Sequence, residues 1–308
     1  RFPEGKFLTV VNLRLGQTHY QLEEFDQAAD YLNRIKSEDL QGALLQTWYY
    51  YLGETHLALG QLEEAEKNFQ AAAQVSGETQ FTAPAYLELG NGELKAGRHK
   101  ESAEYYQKAG EQALSDGIKA LAMLKQGEAL YEAGDFPAAM EIFKNIIQTY
   151  PQEEIRYDAT TDLLLAYYQM KDFDGLIKEF LAREAALPPS QKSFSVMYPV
   201  LSAYVELGRF EEALALIEKA VALPQITRED KYKAYLKKID ILSKQKQFDL
   251  ALQVLENDLE PLAGDKREVG FLKAETLYRS AQYEKAVEHY QKTMTDNPET
   301  IFADESLY

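Results

Sequence analysis

Residues 126–143 read QGEALYEAGDFPAAMEIF, and this stretch decides the fold. In and just before it, Leu121, Met123, Leu124, Leu130 and Tyr131 recur at helical spacing and predict one apolar stripe. After it starts a second stripe of Phe136, Ala139, Met140, Phe143 and Ile146. Between the stripes stands Glu132-Ala-Gly-Asp135. Gly134 suits the left-handed position that ends a helix, and the Asp135 side chain suits capping of the next one. Pro137 then falls in a first turn, where its missing N–H costs nothing. The segment predicts helix, tight turn, helix. Strand signals are nearly absent along the chain, with few β-branched runs and no sustained alternation.

The same text recurs. LGQTHYQLEEFDQAADYL (15–32), LGETHLALGQLEEAEKNF (52–69) and VELGRFEEALALI (205–217) repeat an aromatic or Leu, an Ala three later and a large apolar residue four beyond that. The Ala-type positions are Ala28, Ala65, Ser102, Ala139, Leu176, Ala213, Ala251 and Ala286, spaced 37, 37, 37, 37, 37, 38 and 35. An independent ladder of Pro3, Pro151, Pro188, Pro224, Pro261 and Pro298 is spaced 148, 37, 36, 37 and 37. The predicted units are 9–45, 46–82, 83–119, 120–156, 157–193, 194–231, 232–266 and 267–300, with 301–308 opening another.

This pattern resembles the tetratricopeptide repeat (TPR) family, on Gly127, Gly134, Phe136, Ala139, Phe143 and Pro151 of the fourth unit. The resemblance covers essentially the whole chain. It implies an all-α superhelical solenoid of eight helix-turn-helix repeats of about 37 residues, against the family's usual 34. It also implies that the first helix of each repeat (helix A) lines a concave face and the second (helix B) a convex one. Leu164 and Leu176 depart from the small residues expected in the fifth unit and predict wider helix spacing there. Long periods with Tyr-Pro or Asn-Pro closers are similar to bacterial cell-envelope members, so the expected compartment is the periplasm or envelope. Arg1–Gly5 reads as the closing turn of a preceding unit, and the chain as a piece of a longer array.

Composition bounds the function. The 308 residues carry no Cys and a net charge of −17. That excludes disulfides and thiolate chemistry and argues against nucleic-acid binding, which needs clustered Lys and Arg. No run is long and apolar enough for a membrane span. No HExxH, Walker A, Gly-x-Gly-x-x-Gly, EF-hand or Gly-x-Ser-x-Gly motif occurs. His19 and His56 stand where sibling repeats carry Tyr or Leu, His99 where they open helix B, and His289 is isolated. No enzyme, catalytic residue, metal or cofactor is expected.

Binding residues are expected on the helix A face. Tyr20, Tyr50, Tyr131, Tyr168, Tyr198 and Tyr278 would offer rigid, half-polar contact area to a peptide, or to sugars by stacking. Glu54, Glu128, Asp158, Asp162 and Glu275 share that face and favour a basic or amine-bearing ligand. Lys233, Lys237 and Lys244 form a local basic exception able to hold an anion. The family's carboxylate clamp for chaperone tails requires Lys and Asn in consecutive repeats. Asn91 with Lys125 matches it in part, but Leu87 stands where a clamp Lys belongs, which argues against such tails. Tyr106 and Tyr290 are expected in the core, and Glu23-Glu24, Glu63-Glu64 and Glu211-Glu212 at helix B starts, where they meet the positive dipole end. The expected function is a protein- or peptide-binding scaffold. The alternative is a cell-envelope module that binds a cationic glycan, and a ligand-free oligomerising spacer is a third reading.

Overall fold

A computed structural model describes residues 4–77, 80–150, 153–184, 193–264 and 266–295. Pro3, Pro151, Pro188, Pro298 and the segment 301–308 lie outside the described residues. The described residues are helical and contain no strand. The chain divides into two compact units, Arg1–Met170 and Lys171–Tyr308.

Unit 1 contains α1 (Glu4–Gln21), α2 (Phe25–Asn33), α3 (Gly42–Ala58), α4 (Leu62–Gln74), α5 (Thr82–Lys95), α6 (His99–Glu111), α7 (Asp116–Glu132), α8 (Phe136–Thr149) and α9 (Glu153–Gln169). Unit 2 contains α10 (Phe173–Glu184), α11 (Phe194–Glu206), α12 (Phe210–Val221), α13 (Arg228–Lys244), α14 (Phe248–Val254), α15 (Lys266–Arg279) and α16 (Tyr283–Thr295). Within each unit every helix packs on the next in chain order. Odd-numbered helices are A helices and even-numbered ones B helices. After α14 the backbone widens into a π turn at Leu255–Leu259 and a 3-10 turn at Glu260–Leu262 that contains Pro261, in the repeat where the ladder loses its even spacing.

The predicted turn chemistry is in place. Gly134 sits at φ +78°, and the Asp135 carboxylate accepts the Ala138 N–H at 3.3 Å. The Asp135 N–H donates back to the Leu130 carbonyl at 2.9 Å, which satisfies a carbonyl that the helix end would leave open. The same bond closes the turn before α2, α4, α6, α12, α14 and α16.

All eight Ala-type positions are buried, Leu176 included. Opposite them lies a feature that explains the tight crossings in unit 1. A Cβ added to Gly53, Gly90 or Gly127 would come within 2.8 Å of the ring of Phe69, Tyr106 or Phe143, and one on Gly16 within 2.6 Å of Leu32. These four B-helix side chains therefore lie directly on A-helix backbone. Two expectations need correction. Leu121 leaves the apolar stripe and stands 41% exposed, while Ala120 and Leu124 carry the buried face of α7. Glu23 and Glu24 precede α2 rather than belonging to it: Glu23 is a left-handed turn residue at φ +60°, and Glu24 is the capping position.

Candidate functional site

The A helices of unit 1 carry two residue ladders of period 37: Tyr51, Glu88, Lys125 and Asp162 in one, Glu54, Asn91 and Glu128 in the other. Because each step advances one repeat, the two ladders run side by side across α3, α5 and α7, and the first continues onto α9. The structure couples them from neighbour to neighbour.

At one end the Tyr20 hydroxyl donates to Glu54 at 2.7 Å, and its ring meets Tyr51 edge-on at 5.6 Å. Burial raises the Tyr20 hydroxyl pKa, and the Glu54 hydrogen bond and charge raise it further. Tyr50 stacks on Phe81 at 4.7 Å and tilts against Phe69. Burial, followed by the Glu54 charge, raises its pKa too. Tyr50 thus faces Glu54 with its hydroxyl while its ring packs in the core between the second and third repeats.

Next along the row, burial raises the Glu88 carboxyl. The Asn91 amide donates to it at 3.2 Å and opposes that shift, and the Glu54 charge adds to it. The Asn91 carbonyl oxygen accepts the hydroxyl of Tyr106, whose burial lifts it to about 12. Asn91 is therefore held by the core on one side and by a carboxylate on the other.

The far end holds a strongly perturbed carboxyl. Lys125 pairs with Glu128 at 2.7 Å. The Asp162 carboxyl is pushed up to about 7 by burial, and then by the charges of Glu128 and Asp158, against which Lys125 alone acts. Asp158 is raised as well, by burial first and Glu154 second. Three carboxylates share one ammonium, a balance that favours a further cation. Tyr131 lies on the same helix as Lys125 and Glu128 and packs edge-on against Phe136 at 5.3 Å. Tyr168 is half-buried near the end of α9.

Glu88 was not among the expected binding residues. Its signal was present: it stands 37 residues before Lys125 and 74 before Asp162.

The remaining residues fall in unit 2. Lys233 pairs with Glu229 at 2.6 Å and Lys244 with Asp240 at 2.9 Å, each on its own helix. Lys237 lies over the Tyr198 ring at 5.6 Å, which joins two of the expected residues. Tyr198 also meets Phe194 edge-on. Glu275 accepts the Tyr290 hydroxyl, the counterpart of the Asn91–Tyr106 pair. Tyr278 is 56% exposed and contacts Tyr283. His19 stacks on Tyr31 and bonds Glu24 at 2.5 Å, and His56 contacts Asn68 at 3.1 Å. Among the described residues no helix is long and apolar enough to cross a membrane.

Three tetratricopeptide-repeat family models match residues 44–115, 121–153 and 202–258, together more than half of the chain. Among solved structures, a tetratricopeptide repeat protein from Parabacteroides merdae ATCC 43184 aligns at TM-score 0.52 and 14% identity, over 81% of this chain and 92% of that one. A putative kinesin light chain from Podosopora anserina with nearly identical TPR-like repeats aligns at TM-score 0.44 and 16% identity, over 59% and 96%. No curated protein matches the chain. Repeat text, helix pairing and family models agree: the chain belongs to the tetratricopeptide repeat family.

Proposed function

We propose that this chain is a non-enzymatic scaffold that holds a basic segment of a protein partner along the A-helix face of unit 1. TPR arrays generally serve as protein-interaction scaffolds, because stacked repeats offer an extended surface without a catalytic cleft. The observation that carries the finer reading is the Asp162 environment, where Asp158 and Glu128 crowd a raised carboxyl beside one lysine. An incoming Lys or Arg relieves that repulsion, and Tyr131, on the helix that carries Lys125 and Glu128, offers a ring for its alkyl stem.

The reaction is binding, with a proton change. A cation beside Asp162 favours its ionised form, so binding releases a proton and tightens as pH rises through about 7. Calorimetric titration of a Lys/Arg-rich peptide in buffers of different ionisation heat reads this directly. Tyr131→Ala with Glu128→Lys is expected to weaken binding at least tenfold. Unchanged affinity removes this face from the account. A cationic oligosaccharide in the same cell tests the glycan alternative, and heat from the sugar alone would favour it.

A further inference from the structure

The seam between the second and third repeats is open at a register that other repeats close. Ten residues before the Ala-type position stand Thr55, Ala129, Ala166, Ala203, Ile241 and Thr276 in repeats two and four to eight, and all six are buried. Ala129 clusters there with Ala103 of the preceding repeat, and Ala166 with Ala139. In repeat three the residue is Gly92, and it is exposed; so is Thr18 in repeat one, where no described repeat precedes it. A Cβ added to Gly92 meets nothing within 4 Å, unlike one on Gly90 two residues earlier. The space beside it is a cavity of about 210 Å³ between α4, α5 and the end of α3.

Its floor is dry. Ala65, Phe69 and Leu89 are buried there, and Leu57 and Leu62 form walls, Leu62 standing 64% exposed. An apolar cavity of about 150 Å³ already admits benzene, so this one has room for one large side chain and is too small for most drug-sized ligands.

The rim is acidic. Glu63, Glu66, Glu88 and Glu93 line it against Lys95 and Arg98. Arg98 pairs with Glu93, and the Lys95 charge acts on Glu88. Lys67 stands one turn beyond Glu63 on α4, but Glu54 acts on Glu88 and Glu101 on Arg98, so the neighbours leave the excess negative. Glu88 also belongs to the acidic row, which joins the cavity to that face.

We infer that this cavity holds a Phe or Leu side chain of the partner segment, next to the Lys or Arg residues that the acidic row takes. The inference rests on the proposed function for its flanking charge and adds an apolar anchor to it.

Two peptides of equal charge test it by calorimetry on the whole chain: a Lys/Arg-rich peptide with one central Phe, and the same peptide with Ser in its place. The Phe peptide should bind at least tenfold more tightly. Gly92→Leu fills the cavity from a helical position with room for it, so it should fold and bring the ratio of the two affinities close to one. Leu62→Ser removes an exposed wall and should cut the ratio at least threefold. Equal affinity for the two peptides, or a Phe advantage that survives in Gly92→Leu, overturns the inference. If neither peptide binds, the acidic-row reading falls, and L-phenylalanine amide then decides the cavity by NMR. Ring contacts to the Leu57 and Leu62 methyls support the anchor, and their absence refutes it. Phenylacetate binding as tightly as the amide would refute the role of the acidic rim. A dimer that dissociates in Gly92→Leu would give the cavity to a second copy of the chain instead.

Discussion

The two units stack the same helical text with different chemistry. In unit 1 the first four A helices bring backbone to the crossing through Gly16, Gly53, Gly90 and Gly127, and an aromatic ring or Leu32 lies on each. In unit 2 the same register holds Leu201, Ile239 and Ala274, all buried, so a side chain instead of bare backbone fills each crossing. One position earlier, Leu52 and Leu89 are buried in unit 1, whereas Lys238 and Lys273 pair with Glu218 and Glu256 of the preceding repeat in unit 2. The turns differ as well. Three of four left-handed A-to-B turn residues in unit 1 are Gly60, Gly97 and Gly134, while unit 2 uses Gly208 once and otherwise Lys171, Lys246 and Ala281. One helical register therefore tolerates a dry, glycine-built seam and an ionic one. What selects between them is which residue each repeat places against its neighbour.

Breaking the glycine seam has the largest expected effect. Gly127→Leu, the residue type that Leu164 and Leu201 place in this register, should drive into Phe143 and destabilise unit 1 by about 1–3 kcal/mol in urea melts. The same change made in reverse, Leu201→Gly, should leave a cavity in unit 2 at a cost of about 2–5 kcal/mol. Equal insensitivity in both would erase the distinction.

Repairing the turns sharpens the comparison by a smaller amount. Ala281→Gly and Lys246→Gly remove a Cβ from a left-handed backbone and should each stabilise unit 2 by about 0.5–1 kcal/mol, read as a rise in denaturation midpoint. Gly134→Ala in unit 1 should move the other way.

Salt tests the ionic seam. The Lys238–Glu218 pair spans 2.5 Å with the lysine 20% exposed, so 1 M NaCl should cost unit 2 under about 1 kcal/mol through this pair. Lys238→Met with Lys273→Met should remove that salt dependence.

Much of this was legible in the sequence. The Ala-type ladder named eight buried positions, and Gly134-Asp135 named a turn and its cap. Sequence pattern failed at Leu121, which shares helical spacing with Leu124 but points where no neighbouring helix covers it. It also missed Glu88, which resembles ordinary surface charge until the repeat register sets it between Glu54 and Lys125. Lys233 and Lys244 read as a cation cluster along the chain, yet each has an acidic partner four residues earlier.

The central functional claim is that the acidic row of unit 1 is short of a cation. A carboxyl whose folded pKa is raised stabilises the fold below its unfolded value and loses that contribution as pH climbs through the folded one, here between about 4 and about 7 for Asp162. Carboxyl-detected NMR titration of Asp162, with and without a Lys/Arg-rich peptide, measures this at a single atom. The account predicts a midpoint near 7 that falls by at least one pH unit when peptide is bound. A midpoint near 4, unmoved by peptide, would contradict it.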